Sequence, residues 1–167
     1  MEMNPKLIIL RGNSGSGKST LARSLQHRLG RNTMVIAQDV IRREMLWVKD
    51  EEGTPAVPLL IELLRYGHDH STVTILEGIL YADIYQALFE AAVKLFGSEQ
   101  IFAYYYDLPF EETLKRHQTK PNRDDFGAEA MGRWWREKDL SPILSEQLLT
   151  EDVSLADAEE QIYQAIL

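Results

Sequence analysis

The sequence contains no cysteine, and this absence excludes disulfide bonds, thiolate catalysis and cysteine-ligated zinc or iron–sulfur sites. Histidine is also scarce, because only His27, His68, His70 and His117 are present. These histidines are scattered, and we interpret the alternate pair His68 and His70 as exposed residues of a polar connection. A dedicated zinc site is therefore not expected.

Long hydrophobic runs are missing as well. The longest apolar runs, such as residues 7–10, cover only a few positions, whereas about 18 apolar residues are needed to cross a bilayer. Glu2 and Asn4 interrupt the N-terminus and a glycine-rich motif begins at Gly12, which leaves no room for the apolar core of a secretory signal. We therefore expect no membrane partner and a cytoplasmic location.

The composition is that of a globular protein with an excess of acidic residues. Its 167 residues, 44% hydrophobic and 26% charged, predict a single domain over residues 1–167 with one core. The formal net charge of −8 argues against binding to duplex nucleic acid, which favours a basic surface. Residues 115–138 nevertheless contain seven Lys or Arg against four Asp or Glu, and this local positive charge suits a small anionic ligand.

Short apolar runs alternate with amphipathic stretches along the chain. The apolar runs predict strands at residues 6–10, 34–37, 72–76 and 100–106, and we place a fifth strand near 151–153. The amphipathic stretches predict helices at 18–29, 40–47, 59–66, 81–96, 128–138, from Pro109 to a point before Pro121, and from Ser154 onward, with a loop over 49–58. This alternation predicts a three-layer α/β domain with a parallel sheet, which binds ligands at the carboxyl ends of its strands.

The strongest motif lies between the first predicted strand and the first predicted helix. Residues 12–19 match G-x-x-x-x-G-K-[ST], in which backbone N–H groups wrap around phosphates, the lysine reaches the β- and γ-phosphates and the hydroxyl binds Mg²⁺. We expect the Lys18 ammonium to be exposed before a nucleotide binds. The alternative is a Gly/Ser-rich loop without a ligand. The candidate ATP-binding residues are Gly12, Asn13, Ser14, Gly15, Ser16, Gly17, Lys18, Ser19 and Thr20.

Two carboxylates follow the second and third predicted strands. Asp39, with Arg42 and Arg43 at i+3 and i+4, can take the proton of an acceptor hydroxyl while Arg42 holds the substrate or the transferring phosphoryl group. The alternative is a helix-capping Asp39 beside solvated arginines. Glu77 stands where an acid polarises a water on Mg²⁺, so Ser19 and Glu77 are the candidate metal residues. A structural hydrogen bond to the phosphate loop is the alternative for Glu77.

Cations cluster around the predicted loop at residues 119–127. Arg116 and Arg123 are expected to bring positive charge to the transferring phosphate when this mobile segment closes, and Lys120 is a weaker candidate. The alternative is that these charges are solvated, because Glu112 can already pair with Arg116 at i,i+4.

Three other patterns have less weight. Trp134 and Trp135 cannot both face inward on one helix, so one of them can stack on a planar ligand, although packing in a lid or core is an equal alternative. Residues 122–125 and 50–53 imitate guanine-nucleotide motifs. Neither follows a predicted strand, which those contacts require, and we reject both.

The order of these segments resembles that of the small P-loop kinases. RGNSGSGKST is followed by QDVIRRE, TILEG and YYYDLPFEETLKRH with its basic loop, over almost the whole chain. The sequence looks most like the AAA-type branch of polynucleotide 5′-hydroxyl kinases, zeta toxins, chloramphenicol phosphotransferases and uridine or gluconate kinase-like proteins. The resemblance implies the strand order 2-3-1-4-5, acceptor activation by Asp39 and Arg42, and a helical lid at about 116–138 that carries Arg116 and Arg123.

The leading hypothesis is an ATP- and Mg²⁺-dependent phosphotransferase that acts on a hydroxyl of a small molecule. Lys18, Asp39, Arg42, Arg116 and Arg123 are its candidate catalytic residues. A 5′-hydroxyl kinase acting on an oligonucleotide is one alternative, favoured by D-x-x-R and opposed by the net charge. A nucleotide-binding regulatory module that transfers nothing is the other. The acceptor and the oligomeric state stay open at this point.

Overall fold

The computed structural model describes residues 4–167 and contains a five-stranded sheet. Its strands are β1 (Lys6–Gly12), β2 (Thr33–Ala37), β3 (Val73–Gly78), β4 (Ile101–Tyr106) and β5 (Gln147–Leu149). They lie in the order β2-β3-β1-β4-β5, and each neighbouring pair is parallel. The predicted α/β fold class and the strand order 2-3-1-4-5 are confirmed.

Helices cover both faces of this sheet. They are α1 (Lys18–Leu29), α2 (Gln38–Val40), α3 (Ala56–His70), α4 (Gln86–Phe96), α5 (Phe110–His117), α6 (Ala128–Trp134) and α7 (Leu155–Ile166), with a π-helix (Ile41–Leu46) after α2 and a 3₁₀ turn (Ser98–Gln100) before β4. Alternate residues of β1 point to opposite faces. Leu7 and Ile9 belong to a core with α3 and α4, whereas Ile8 and Leu10 belong to a core with α1 and α7. The result is the expected three layers.

The register of the strands brings several polar residues to one edge of the sheet. Glu77 of β3 is paired with Leu10 of β1 and with Ala37 of β2. Because the carboxyl ends of parallel strands meet at the same edge, the loop after β1, the start of α2 and Glu77 lie together there. Among residues 4–167, no helix is long and apolar enough to cross a membrane.

Several predicted elements are present with small differences at their ends. The helix predicted at residues 18–29 is α1, and Gly30 after it has a φ of 97° and donates its N–H to the carbonyl oxygen of Gln26 at 3.0 Å. The first four predicted strands correspond to β1 through β4. The helix predicted from Ser154 is α7, and Ser154 Oγ accepts a hydrogen bond of 3.1 Å from the N–H of Asp157. Hydroxyl side chains commonly cap helices in this way.

The segment after β2 differs from the predicted helix at residues 40–47. The helix already begins at Gln38, continues from Ile41 as a π-helix, and ends where Trp47 adopts a φ of 53°. The N–H of Val48 then donates to the carbonyl oxygen of Arg42 at 3.0 Å. A π-turn of this kind has no distinctive sequence pattern, and the apolar spacing alone did not indicate it.

The next helix is longer than predicted. The predicted loop at 49–58 ends before Ala56, where α3 begins, and α3 runs to His70 instead of ending at residue 66. Pro58 lies in the first turn of α3, where a missing N–H costs no helical hydrogen bond. The pair His68 and His70 therefore belongs to a helix end and not to a polar connection.

Two predicted helices are too long, and the fifth strand is misplaced. The helix predicted at 81–96 begins only at Gln86, because residues 82–85 form turns. The helix predicted at 128–138 ends at Trp134. The strand expected near 151–153 is a turn, and β5 lies earlier, beside β4. With only three residues, of which Leu149 alone is buried, β5 has too short an apolar pattern to be recognised.

Candidate active site

The phosphate-binding loop connects β1 to α1. Gly15 and Gly17 have φ angles of 82° and 106°, which L side chains rarely adopt. Gly15 also lacks room for a side chain, because a Cβ there would lie 2.6 Å from the carbonyl oxygen of Thr113 and 2.8 Å from Cε of Met131. The loop is therefore packed directly against α5 and α6.

Lys18, the first residue of α1, is buried, so the expectation of an exposed ammonium is wrong. The loop folds back over the side chain, and Nζ donates a hydrogen bond of 2.8 Å to the carbonyl oxygen of Asn13. Burial lowers the pKa of Lys18 to about 8, and the carboxylate of Glu77 opposes this shift. A phosphate beside such an ammonium would favour its charged form.

Ser19 and Glu77 lie next to each other, as the proposed metal role requires. Ser19 Oγ donates to Oε1 of Glu77 at 3.1 Å. Burial raises the pKa of Glu77, and Lys18 and Ser19 act in the opposite direction. A hydroxyl and a carboxylate are hard oxygen donors of the kind that Mg²⁺ prefers.

These two residues fit a metal ion that is shared with a nucleotide. Within residues 4–167, no group of three or more His, Cys, Asp or Glu side chains could hold a metal ion. Mg²⁺ in phosphate sites usually takes one or two protein ligands and completes its shell with phosphate oxygens and waters. The donor set is therefore compatible with Mg²⁺ bound together with ATP.

Asp39 is held by both arginines that follow it. Its Oδ1 lies 3.2 Å from Nη2 of Arg42 and 2.8 Å from Nε of Arg43, so the i+3 and i+4 pairing expected from the sequence is present. The residue at the N-cap of α2 is Ala37, and Asp39 therefore does not occupy the cap position. Both ion pairs use Oδ1, so neither occupies Oδ2.

A cavity of about 390 Å³ joins these groups. The phosphate loop contributes Gly15, Gly17, Lys18 and Ser19 to its lining, and the sheet edge contributes Gln38, Asp39, Arg42, Arg43 and Glu77. Lys49, Asp50 and Tyr81 line it from the loops after the π-helix and β3. The candidate base and the candidate phosphate-binding residues thus line one cavity.

The segment at residues 116–138, which the sequence predicts to be a lid, contributes Lys120 to this cavity, but Arg116 and Arg123 are not among the lining residues. Burial lowers the pKa of Lys120, and Glu77 opposes this effect. Arg123 lies on an exposed turn, where Nη1 donates to the carbonyl oxygen of Lys120 at 3.5 Å. Arg116 contacts the phosphate loop from outside the cavity, because Nη1 donates to the carbonyl oxygen of Ser16 at 2.8 Å.

The two adjacent tryptophans have different surroundings. Trp134 lines the cavity, and its ring packs against Phe126 at 5.0 Å and against the guanidinium of Arg43 at 5.4 Å. Trp135 packs against Phe110 at 5.3 Å. Trp134 is therefore the tryptophan placed to contact a ligand in the cavity.

Asn13 connects the phosphate loop to the segment that follows α6. Its Nδ2 donates to the carbonyl oxygen of Arg136 at 2.7 Å, and its Oδ1 accepts from the N–H of Arg136 at 2.9 Å. These residues are far apart in sequence, so the sequence offered no sign of the pairing. The Asn13 side chain is engaged in holding the lid region.

Arg11, just before the motif, is completely buried and was not recognised from the sequence. Its Nη1 donates to both carboxylate oxygens of Glu146 at 2.8 and 2.9 Å, and Nε and Nη2 donate to the carbonyl oxygen of Leu80 at 3.1 and 2.9 Å. Nη2 also lies 3.3 Å from Oδ2 of Asp139. Arg11 therefore links β1 to the loop after β3 and to the segment between α6 and β5.

A second buried hydrogen-bond chain was also missed. Gln38 Nε2 donates to the hydroxyl oxygen of Tyr85 at 2.9 Å, and this hydroxyl donates to Oδ1 of Asp50 at 2.7 Å. The three residues come from separate segments of the chain, so no local motif could indicate their contact. The chain ends at a carboxylate that lines the cavity.

Several solved protein structures share this architecture. A gluconokinase from Sinorhizobium meliloti 1021 is 14% identical with a TM-score of 0.62, over 99% of this chain and 93% of that chain. The tunicamycin resistance protein of Deinococcus radiodurans is 17% identical with a TM-score of 0.67, over 97% and 95%. A chain of the Pnkp1/Rnl/Hen1 RNA repair complex is 23% identical with a TM-score of 0.54, over 80% and 43%. At sequence identities this low, the similarity shows that the proteins share a fold and nothing more.

The strand order, the phosphate loop and the acidic residue ending β3 define the fold of a small P-loop kinase. Residues 7–131 match the AAA domain family AAA_33, and the chain belongs to this family. No curated protein sequence matches it significantly.

Proposed function

We propose that the protein is a phosphotransferase that moves the γ-phosphate of ATP to a hydroxyl group of a small molecule. The observation that carries this proposal is the shared cavity: the phosphate-loop residue Lys18 and the carboxylate of Asp39 line the same cavity. A protein that only bound a nucleotide would not need a carboxylate there. The acting unit is the single domain formed by residues 1–167, with a lid at about 116–138.

Asp39 is the candidate general base in this reaction. Its free carboxylate oxygen accepts the proton of the acceptor hydroxyl, the hydroxyl oxygen forms a bond to the γ-phosphorus, and the bond from that phosphorus to the β,γ-bridging oxygen breaks to release ADP. Arg42 and Arg43 keep the carboxylate oriented through Oδ1.

Positive charge is the other requirement of phosphoryl transfer. Lys18 and Lys120 supply it from the cavity lining, and Arg116 and Arg123 are proposed to add to it when the lid closes. Ser19 and Glu77 would hold Mg²⁺, which neutralises charge on the phosphate oxygens when bound.

A 5′-hydroxyl kinase acting on an oligonucleotide is the second candidate. It is supported by the Asp39–Arg42 ion pair of the D-x-x-R pattern and by the fold similarity to the chain from an RNA repair complex. The two candidates share the same chemistry at the γ-phosphate and differ in the acceptor.

The test is a transfer assay with γ-labelled ATP and Mg²⁺ against nucleosides, sugars, antibiotics and 5′-hydroxyl oligonucleotides. The proposal expects label in one small-molecule class, and transfer that is slower by about 10² to 10⁴-fold in the Asp39→Asn variant. Label only in oligonucleotides would favour the second candidate. ATP binding without transfer to any acceptor would favour the regulatory module.

A further inference from the structure

Besides Asp39 and Glu77, the cavity is lined by a third carboxylate, Asp50, which the chemistry proposed above does not use. Asp50 lines the cavity, and its Oδ1 accepts the hydroxyl proton of Tyr85 at 2.7 Å. Tyr85 is completely buried, and its oxygen accepts from Nε2 of Gln38, which is also buried, at 2.9 Å. Two buried side chains therefore hold one carboxylate in a fixed orientation.

The direction of these hydrogen bonds follows from the groups involved. A carboxylate only accepts, so the single proton of the Tyr85 hydroxyl must point to Asp50, and the Tyr85 oxygen must then accept from the Gln38 amide. Burial and the carboxylate of Asp50 raise the pKa of Tyr85, which keeps this proton on the tyrosine. The Tyr85 hydroxyl is therefore the donor to Oδ1 of Asp50, and it leaves Oδ2 of Asp50 available to a ligand.

The backbone at the end of β3 leaves space for the side chain of Gln38. A Cβ at Gly78 would lie 2.8 Å from both Cβ and Oε1 of Gln38. Such a close contact would push Gln38 away from Tyr85. The glycine that follows Glu77 thus makes room for the amide that fixes Tyr85.

The two aspartates that line the cavity have different partners. Asp39 is paired with Arg42 and Arg43 through Oδ1, as suits a group that meets the reacting hydroxyl. Asp50 instead accepts a hydrogen bond from the neutral hydroxyl of Tyr85. This arrangement suits a carboxylate that also accepts hydrogen bonds from a ligand. An acceptor with one hydroxyl would need only the first of them.

We propose that Asp50 binds a second hydroxyl group of the acceptor, and that the acceptor is therefore a polyhydroxy compound. This inference rests on the proposed function, in which Asp39 meets the reacting hydroxyl. The rings of Tyr81 and Trp134 line the same cavity and offer an apolar surface to the C–H groups of such a compound. Asp50 sets specificity, and Tyr85 and Gln38 are positioning residues.

Saturation-transfer NMR without nucleotide tests the inference directly. The probes are myo-inositol, D-glucitol, D-gluconate, adenosine and uridine, and cyclohexanol serves as a ring-matched compound with one hydroxyl. We expect a signal from at least one polyhydroxy probe and none from cyclohexanol. Loss of a hydrogen bond to a charged group corresponds to about 10- to 100-fold weaker binding, and Asp50→Asn should show this loss.

Two further variants separate recognition from general damage. Tyr85→Phe retains the ring but releases Asp50, and should weaken binding of the same probe by about 5- to 10-fold. Glu52→Gln removes a neighbouring exposed carboxylate that is not among the lining residues, and should change nothing. All variants should keep the ATP affinity of the unaltered protein. Asp50→Asn and Glu52→Gln should also keep its melting temperature, whereas Tyr85→Phe should lower it because the buried amide of Gln38 loses its acceptor.

Three results would overturn the inference. They are equal binding by Asp50→Asn and the unaltered protein, an equal signal from cyclohexanol, and no signal from any polyhydroxy probe. The proposed function is judged separately by transfer from γ-labelled ATP. A protein that binds polyols through Asp50 but transfers no phosphate would refute that function and not the binding role of Asp50.

Discussion

At the scale of single residues, the buried ammonium of Lys18 connects stability with ligand binding. Its main protein partner is the carbonyl oxygen of Asn13, which is a weaker substitute for the phosphate oxygens that the loop is suited to bind. Burying a charge costs free energy unless the partners compensate for it, and the lowered pKa of Lys18 reflects this cost. Residues of this kind lower stability in order to bind ligands.

Replacing Lys18 should therefore stabilise the protein and abolish nucleotide binding. Lys18→Met is expected to raise the free energy of unfolding at pH 7 by about 1 to 3 kcal/mol, because one pKa unit corresponds to about 1.4 kcal/mol. Urea denaturation measures the change in the free energy of unfolding. Calorimetric titration with ATP and Mg²⁺ measures the loss of nucleotide binding. Lys94→Met, at an exposed position of α4, is the matched control. A destabilised Lys18→Met variant would contradict this interpretation.

The stabilisation by Lys18→Met should depend on pH in a defined direction. Between a pKa of about 8 in the folded state and the ordinary value of 10.5, the unfolded chain binds more protons at Lys18 than the folded chain. The contribution of Lys18 to stability therefore rises with pH across this window. The advantage of Lys18→Met should be complete below pH 8 and shrink toward pH 10.5. A constant difference would exclude titration of Lys18 as its cause.

Asp39→Asn should separate catalysis from nucleotide binding. The amide keeps the shape of the side chain but cannot take a proton, so the transfer rate should fall by about 10² to 10⁴-fold. ATP affinity should be retained, because the phosphate loop does not depend on Asp39. Asp69→Asn, an exposed change at the end of α3, controls for the loss of one charge. Transfer at the original rate would assign Asp39 to structure only.

The contact between Ser19 and Glu77 could be predicted from the sequence, because a local motif and a strand end place both residues at one edge of the sheet. The burial of Lys18 could not, because it depends on how the loop folds back to Asn13. Residues 50–53 imitate a guanine-nucleotide motif but do not follow a predicted strand, so the sequence indicated no role for Asp50. Its orientation depends on Tyr85, which lies in another segment and contacts it only through tertiary packing.

At the scale of elements, the segment that we propose as a lid is anchored to the end of α5 by one histidine. His117 is buried at the end of α5, where its Nε2 lies 3.1 Å from the carbonyl oxygen of Arg123 and 2.8 Å from that of Phe126. Its ring stacks on Phe126 at 4.5 Å. This histidine therefore holds the loop that contains Lys120, a residue of the cavity lining.

Lys120 and Arg123 form a matched pair for testing the lid. Lys120→Ala removes a cavity-lining cation near Glu77 and should lower kcat by about 10- to 100-fold with a smaller effect on the KM for ATP, since positive charge is most useful in the transition state. Arg123→Ala should also lower kcat, because Arg123 is proposed to reach the transferring phosphate when the lid closes, but by less than Lys120→Ala because Arg123 lies outside the cavity lining. A larger loss for Arg123→Ala would show that closure brings Arg123 to the phosphate.

Elements with long, regular patterns were predictable, and those set by neighbouring structure were not. The repeat of Leu21 and Leu25 and the terminal Gly30 were enough to define α1. By contrast, α4 begins late because Tyr81 and Tyr85 are used in the site, where the N–H of Tyr85 bonds to the carbonyl oxygen of Tyr81 at 2.9 Å. Such a turn has the same apolar spacing as a helix.

At the scale of the whole molecule, Arg11 connects parts of the chain that surround the cavity. Its guanidinium binds Glu146 and Leu80, and it lies 5.1 Å from the ring of Phe89 in α4 and 5.4 Å from that of Tyr105 in β4. The loop after β3 and the segment before β5 are both held through this one side chain. A buried ion pair of this kind is very sensitive to the loss of one partner.

Arg11→Met should therefore destabilise the protein by about 3 to 5 kcal/mol, because Glu146 would be left buried without its cation. The double variant Arg11→Met with Glu146→Gln should recover about 1 to 3 kcal/mol of this loss, since the unpaired charge is removed. Urea denaturation of the single and double variants measures both values. Equal stability of the two variants would show that the carboxylate is not the source of the loss.

The contact between the phosphate loop and α5 has a consequence for protein engineering. Gly15 has no room for a side chain beside the backbone of Thr113, and the carbonyl oxygen of Ser16 accepts a hydrogen bond from Arg116, so α5 and the phosphate loop form one packed body. The turns at residues 118–127 extend beyond this body and include the cavity-lining Lys120 and Phe126. Exchanging only these turns should change which acceptors bind in the cavity. Nucleotide binding by the phosphate loop should stay the same.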